Sequence, residues 1–415
     1  MVKHGAISIM SQGVSSAGNF MAVMIPAKVL AADEFGHYIV ALTTVLLLAG
    51  FSRALVGMPI RIQGVDVAGD NKEQYFASLT FVGLIVAILS GIVSAPIMML
   101  TTTSNTSLLL ATAVAVGAFQ IHDLSRAVRA SQLQWTRILI GDVVLHVSRT
   151  LVLGIMAIIG NLDATMALLI YTGASIASPI ITRFPLRIVC DFESLREVIV
   201  NSWLFGRWLL METVVSSLST QIYVLFTSGF LGPAAAGVLG ALQQIINVIN
   251  VIQIGIHDYL LPHVRSALNH GNYDRWVRWN IYGVSAMVFA TVAIVIPLVL
   301  YEENIVSLIY SDAISGHRKV LLYLATAAVL GAINCAWTIA YRTSGMPEAG
   351  VIAKAASALV TTTVGVMLVR DFGLIGAAIG VLLTQIIWLL IFLYLTLMRH
   401  SLSRGNIKHL LRKIA

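Results

Sequence analysis

Asp142, His146 and Arg149 stand at positions i, i+4 and i+7 inside an apolar run from Ile138 to Ile159. That spacing puts three side chains able to carry charge or protons on one face of a helix. Lipid cannot solvate such groups, so the face should turn to a protein cavity or to a partner helix. An arginine about ten residues into a span lies roughly 15 Å deep, close to the bilayer midplane. Guanidinium grips phosphate oxygens in a planar fork and keeps its charge. Arg149, with His146 beside it, is therefore a candidate contact for an anionic group. The competing reading has Arg149 paired with backbone carbonyls, or with Asp142 through a neighbouring helix, since two turns (about 10 Å) separate the two directly. His146 is either a titrating group or a neutral hydrogen-bonding one. Asp142 is either an interface-facing carboxylate or a coupling-ion site.

Other polar groups interrupt apolar runs. Gln243, Asn247 and Asn250 repeat the i, i+4, i+7 spacing with Gln253 close behind, a face suited to sugar hydroxyls or to interhelical amide bonds. Lys354 forms a stripe with Ser357 and Thr361, and its long stem can reach a membrane interface or a substrate. Arg53 and Arg207 lie within the same reach. Glu212 is the second candidate for a proton or sodium site.

These residues need long apolar elements to carry them. The chain has 415 residues, 58% hydrophobic and 11% charged, where a soluble domain has about 25% charged. It therefore reads as an all-α polytopic membrane protein. Apolar segments fall at roughly 7–28, 36–58, 76–100, 106–123, 139–160 and 164–185, then at 200–226, 233–256, 280–300, 319–340, 348–369 and 373–397, about twelve spanning helices. The first follows Met1-Val2-Lys3-His4 without a short apolar core and small-residue cleavage site, so it reads as a helix and not a removed signal. Cys190 and Cys335 imply no disulfide framework.

Basic residues set the orientation. With the N-terminus inside, Arg61, Arg126, Arg129, Arg137, Arg183, Arg187, Arg275 and Arg278 fall in cytoplasmic segments, as does the tail with Arg399, Arg404, Lys408, Arg412 and Lys413. Outside remain Lys28, Arg318, Lys319 and Arg370. Both termini are expected in the cytoplasm. Nucleic acid is excluded as a partner, because the net charge of +7 is dispersed over short loops.

The halves resemble each other. A shift of 201 residues pairs Met10 with Met211, Val14 with Val215, Ser15 with Ser216, Ser16 with Ser217, Val23 with Val224, Leu30 with Leu231 and Gly36 with Gly237. A six-helix shift preserves orientation, so the repeats should be parallel, two bundles around a central cavity, MATE-like in architecture. The expected division is 1–190 and 191–400, followed by a basic tail at 401–415, with the polar stretch Arg187 to Glu197 as the boundary.

The opening from Ser11-Gln12-Gly13 through Leu30-Ala31-Ala32-Asp33-Glu34-Phe35-Gly36-His37-Tyr38 resembles the first helical hairpin of polysaccharide transporters. These are the Wzx-like flippases of the multidrug/oligosaccharidyl-lipid/polysaccharide exporter (MOP) superfamily. Lys28 stands at that family's basic position; Ala31-Ala32 departs from its Leu-Gly-Pro, which the second copy supplies as Leu231-Gly232-Pro233. Phe372-Gly373-Leu374-Ile375-Gly376 is similar to its turn into the last helices. The resemblance implies export of a lipid-linked saccharide across a bacterial inner membrane, beside glycosyltransferase or glycan polymerase partners, with no cofactor and no enzymatic step.

Two alternatives stay open. A cation-coupled multidrug exporter shares the fold but needs acidic cavity groups, and the first helix has Asn19 and no carboxylate before Asp33. An integral-membrane glycan polymerase or ligase needs catalytic groups on a sizeable outer loop; the longest, roughly Tyr301 to Lys319, holds Glu302, Glu303, Asp312 and His317. There is no paired-carboxylate, phosphate-loop or metal-ligand motif. His257, His263 and His270 are irregularly spaced and read as solvated histidines in a polar loop. Flippases of lipid-linked peptidoglycan precursors usually carry about two more helices.

Overall fold

A computed structural model describes residues 2–63, 71–101, 105–184, scattered positions between 196 and 215, and 221–270, 272–310, 314–343 and 348–414. The described residues are helical, in the order α1 (Val2–Val29), α2 (Ala32–Ser52), a π-helical turn (Arg53–Gly57), α3 (Met58–Gln63), α4 (Asn71–Thr101), α5 (Thr106–Ser131), α6 (Trp135–Ile159) and α7 (Ala164–Ile181). There follow α8 (Ile222–Leu231), α9 (Pro233–Asn269), α10 (Tyr273–Leu300), α11 (Glu302–Ile309), α12 (Arg318–Thr343), α13 (Glu348–Val360), a π-helical turn (Thr361–Gly365) and α14 (Val366–Ile414). Among the described residues, nine helical stretches are long and apolar enough to cross a membrane. The last, Ala349–Met398, covers two expected spans, joined where Gly373 leaves helical geometry at φ 61°. The other expected spans are α1 and the partly described segment ending in α8.

The helices present apolar side chains outward and bury a mostly apolar core, with polar and charged side chains confined to particular buried positions. On α6 the exposed stripe is Val143, Val147, Leu151, Ile155 and Ile158, while Asp142, Leu145, His146, Arg149 and Leu153 are buried. On α4, Ile88, Ile92 and Leu100 likewise face outward.

Two compact units emerge. The first comprises 1–245 with 303–316, the second 246–302 with 317–415. In the first, α1 packs on α6 and α5 packs between α4 and α7. The repeat is visible inside this unit. The chain breaks between α1 and α2 at Ala31 and between α8 and α9 at Gly232, positions that the 201-residue shift superposes. Gly232 has φ +90°, which glycine adopts without a Cβ penalty. The repeat-related Gly36 and Gly237 meet: a Cβ on Gly237 would lie 3.2 Å from the Gly36 Cα, and one on Gly36 would lie 1.9 Å from the Pro233 carbonyl oxygen. The buried Tyr310 hydroxyl closes the same end by donating to the Ala241 carbonyl at 3.2 Å; burial pushes its phenol up from the usual range. In the second unit, Tyr341 stacks on Phe392 and donates to its carbonyl, and Asn334 donates to Gln385 Oε1 at 3.0 Å.

Some boundaries move. The fourth span was expected to end near 123 but continues to Ser131, so Arg126 and Arg129 are helical residues, not loop residues. Their guanidiniums find oxygens within the bundle, which lets the helix run on. The stretch with His257 and His263 is likewise helix and not loop, part of α9; the His263 ring lies 4.9 Å from the Trp279 ring. Arg187 to Leu195 and Glu197, in the expected domain boundary, lie outside the described residues, as does Glu212.

Candidate functional site

The first unit buries a polar network at the junction of α1, α5, α6 and α7. Its centre is Asp142, 1% exposed. Ser11 on α1 donates to Asp142 Oδ2, Arg126 on α5 reaches the same oxygen at 3.1 Å and Ser11 Oγ at 3.2 Å, and His122 Nε2 stands 3.6 Å from Oδ1. On the far side of the ring, His122 Nδ1 lies 2.9 Å from Ser178 Oγ, which is itself 2.8 Å from the Gly141 carbonyl. Nε2, on the other edge, faces the Asp142 carboxylate. Arg129 closes the end of α7, donating to the Thr182 carbonyl at 3.1 Å and covering the Phe184 ring.

Two helical turns from Asp142, Arg149 is 1% exposed. One terminal nitrogen shares its two N–H bonds among the Gly18 carbonyl at 2.8 Å, Asn19 Oδ1 at 3.0 Å and His146 Nδ1 at 3.1 Å, and the guanidinium lies 5.0 Å over the Tyr171 ring. Of the two readings of Arg149, pairing with backbone carbonyls describes its surroundings in this conformation. Accepting from Arg149 leaves His146 Nδ1 unprotonated. Gly18 allows the close approach, because a Cβ there would lie 2.4 Å from that of His146.

Arg53 is placed differently. It begins the π-helical turn after α2, its side chain is 45% exposed, and its Nε donates to Asp123 Oδ2 at 2.5 Å. It lines a cleft of about 40 Å³ with Arg61, Asp123, Ser52 and Gly57. Arg53, Arg61, Arg126, Arg129 and Arg149 thus share this region with Asp123 and Asp142. Five positive against two negative charges leave +3 with the histidines neutral. Buried Nε atoms of Arg61, Arg126 and Arg149 have no hydrogen-bond acceptor.

No protein-family model and no curated protein matches the sequence. Solved structures do. The structure titled as lipid II flippase MurJ in an inward closed conformation matches with TM-score 0.76 at 13% identity, covering 95% of this chain and 87% of its own. An inward-facing multidrug-resistance MATE transporter of the MOP superfamily gives 0.67 at 14%, over 96% and 95%. A MOP-superfamily transporter from Pyrococcus furiosus, whose title reports a binding pocket of reverse polarity, gives 0.59 at 13%, over 97% and 96%. The chain has the fold of the MurJ and MATE transporters.

On that fold the remaining candidates are spread out. Gln243 is half-buried on α9, while Asn247 and Asn250 are exposed and bonded to each other at 3.0 Å. Gln253 is buried, donating to Thr291 Oγ1 at 3.0 Å. Lys354 on α13 is half-buried, its ammonium 5.6 Å from the Trp388 ring. Arg207 is helical and exposed. The structure brings Asp142, His146 and Arg149 together with His122, Asp123, Arg126, Ser11 and Tyr171, which the sequence reading did not select. The available signal was Gln120, His122 and Asp123 within three residues of a span's expected end, followed by Arg126 and Arg129 at helical spacing.

Proposed function

We propose that the chain is a flippase that moves an anionic lipid-linked saccharide, such as a polyprenyl-diphosphate oligosaccharide or polysaccharide precursor, across the cytoplasmic membrane by alternating access. The observation that carries this reading is the local surplus of arginine around the Asp142 network and the Arg53 cleft, where Arg53, Arg61, Arg126, Arg129 and Arg149 face Asp123 and Asp142. A diphosphate cannot leave water for a membrane interior without cationic compensation, and a cationic drug would be repelled by the same field. The fold likeness to the lipid II flippase MurJ supports it.

In this reading residues 1–190 and 191–400 are the two bundles, and both termini and the 401–415 tail are cytoplasmic. Arg53, half-exposed on its cleft, is the first phosphate contact. Arg149 and His146 meet substrate only when α1 parts from α6. Gln243, Asn247 and Asn250 serve sugar hydroxyls, and Arg207 and Lys354 add cationic contacts. Asp142 and Glu212 are the coupling sites for a proton or sodium gradient; at Asp142, Arg126 occupies the place a coupling cation would take and must withdraw first. Glycosyltransferases and glycan polymerases are the expected partners.

The second reading, a cation-coupled multidrug exporter, is favoured by the buried carboxylate of Asp142 and by the MATE likeness. Proteoliposomes separate the two. The flippase reading expects leaflet exchange of a fluorescent lipid-diphosphate oligosaccharide and no efflux of a cationic dye. Dye efflux without lipid exchange would overturn it.

A further inference from the structure

The π-helical turn Arg53–Gly57 changes which residues share a face. At about 100° per residue, positions eight apart on an unbroken α-helix diverge by roughly 80°. A π turn takes up one extra residue, which brings the same two positions to within roughly 20° of each other. Arg53 and Arg61 are eight apart, and both line the 40 Å³ cleft beside Asp123. That space is several times what one water needs. Among the described residues neither arginine is saturated: Arg61 has a buried Nε without an acceptor, and Arg53 hydrogen-bonds through Nε, to Asp123 at 2.5 Å.

We propose that this cleft is an anion subsite for one phosphate group, held between Arg53 and Arg61, and that Asp123 is its resident competitor. The proposal rests on the flippase reading and adds two residues to it. Asp123 is 8% exposed and cannot retreat into water. It faces Arg53 and Arg61 from the α2–α3 segment and Tyr171 from α7, with His122 and Arg126 beside it on α5. With the cleft empty, the carboxylate neutralises Arg53. An arriving phosphate meets a guanidinium already half-committed and a like charge beside it, so binding is weakened and release is quickened. A carrier needs that compromise, because a site that holds its cargo tightly does not let it go.

The test is calorimetric titration of the purified full-length protein with inorganic pyrophosphate, at fixed low salt. Asp123→Asn keeps the shape and removes the competing charge, and should tighten binding about tenfold. Arg53→Ala and Arg61→Ala should each weaken it at least tenfold, while Arg137→Ala, on an exposed part of α6, should leave it unchanged. Unchanged or weaker binding in a folded Asp123→Asn protein overturns the competitor role. Unchanged binding in Arg61→Ala overturns the subsite, and that variant decides the matter alone if Asp123→Asn does not fold, since it leaves the Arg53–Asp123 pair in place. The two readings fail separately: parent protein that binds pyrophosphate as predicted but moves no lipid-linked saccharide contradicts the flippase reading and spares the site. Lipid transport with pyrophosphate binding indifferent to these residues does the reverse.

Discussion

At the residue scale, Arg149 shows how far a side-chain pattern can be read. Its burial and its shared face with Asp142 and His146 were legible, because helical spacing and hydropathy depend only on local sequence. Its partners were not: Gly18 and Asn19 lie about 130 positions away, and nothing local marks them. The geometry makes Arg149 a clamp between α1 and α6. Arg149→Ala should therefore cost about 3 kcal/mol, by removing its bonds to the Gly18 carbonyl and the Asn19 amide oxygen and its packing over Tyr171. Arg149→Lys should recover only part, since ammonium keeps the charge and loses the planar fork. Thermal unfolding in detergent checks both; an unchanged Tm for the alanine variant would deny the clamp. Asp142 was expected to face the interface or to hold a coupling ion; the structure buries it, as the acceptor for Ser11 and Arg126, which nothing local marks.

At the element scale, the contact between α2 and α9 is the point where the repeat becomes physical. The glycines paired by the 201-residue shift, Gly36 and Gly237, touch across it, and only hydrogen fits at Gly36. Gly36→Ala places a methyl against the Pro233 carbonyl and should lower the unfolding temperature by several degrees. Gly13→Ala and Gly173→Ala, where a Cβ meets nothing within 4 Å, should be neutral or slightly stabilising through helix propensity. Equal effects at all three sites would mean that propensity, not the crossing, governs Gly36. Most spans were legible within a few residues because their length is fixed by bilayer thickness. Others run past it: α9 continues to Asn269, α10 begins at Tyr273, and α5 runs on to Ser131 because Arg129 finds the Thr182 carbonyl and the Phe184 ring, a tertiary reason that hydropathy cannot carry. The π turn at Arg53 was equally invisible, since it changes the phase of a helix without changing its composition.

At the scale of the whole molecule, the number and order of the spans pointed to a MATE-like arrangement, and the likeness to the MurJ and MATE structures at 13–14% identity shows that fold. So low an identity leaves the cargo to the site. There the sign of the charge is what matters: in the proposed reading, the local surplus of arginine around Asp142 and the Arg53 cleft would favour a diphosphate over a cation. Long-range attraction of this kind falls with ionic strength, so lipid-diphosphate uptake should weaken as salt rises well above 0.15 M, where the screening length drops below about 8 Å. A salt-independent rate would place the chemistry elsewhere. The most direct measurement is leaflet exchange of a fluorescent lipid-diphosphate oligosaccharide in proteoliposomes, comparing the parent with Arg53→Ala at matched incorporation and matched unfolding temperature. The account predicts transport by the parent and a loss of at least tenfold in the variant. Equal transport by both would contradict it.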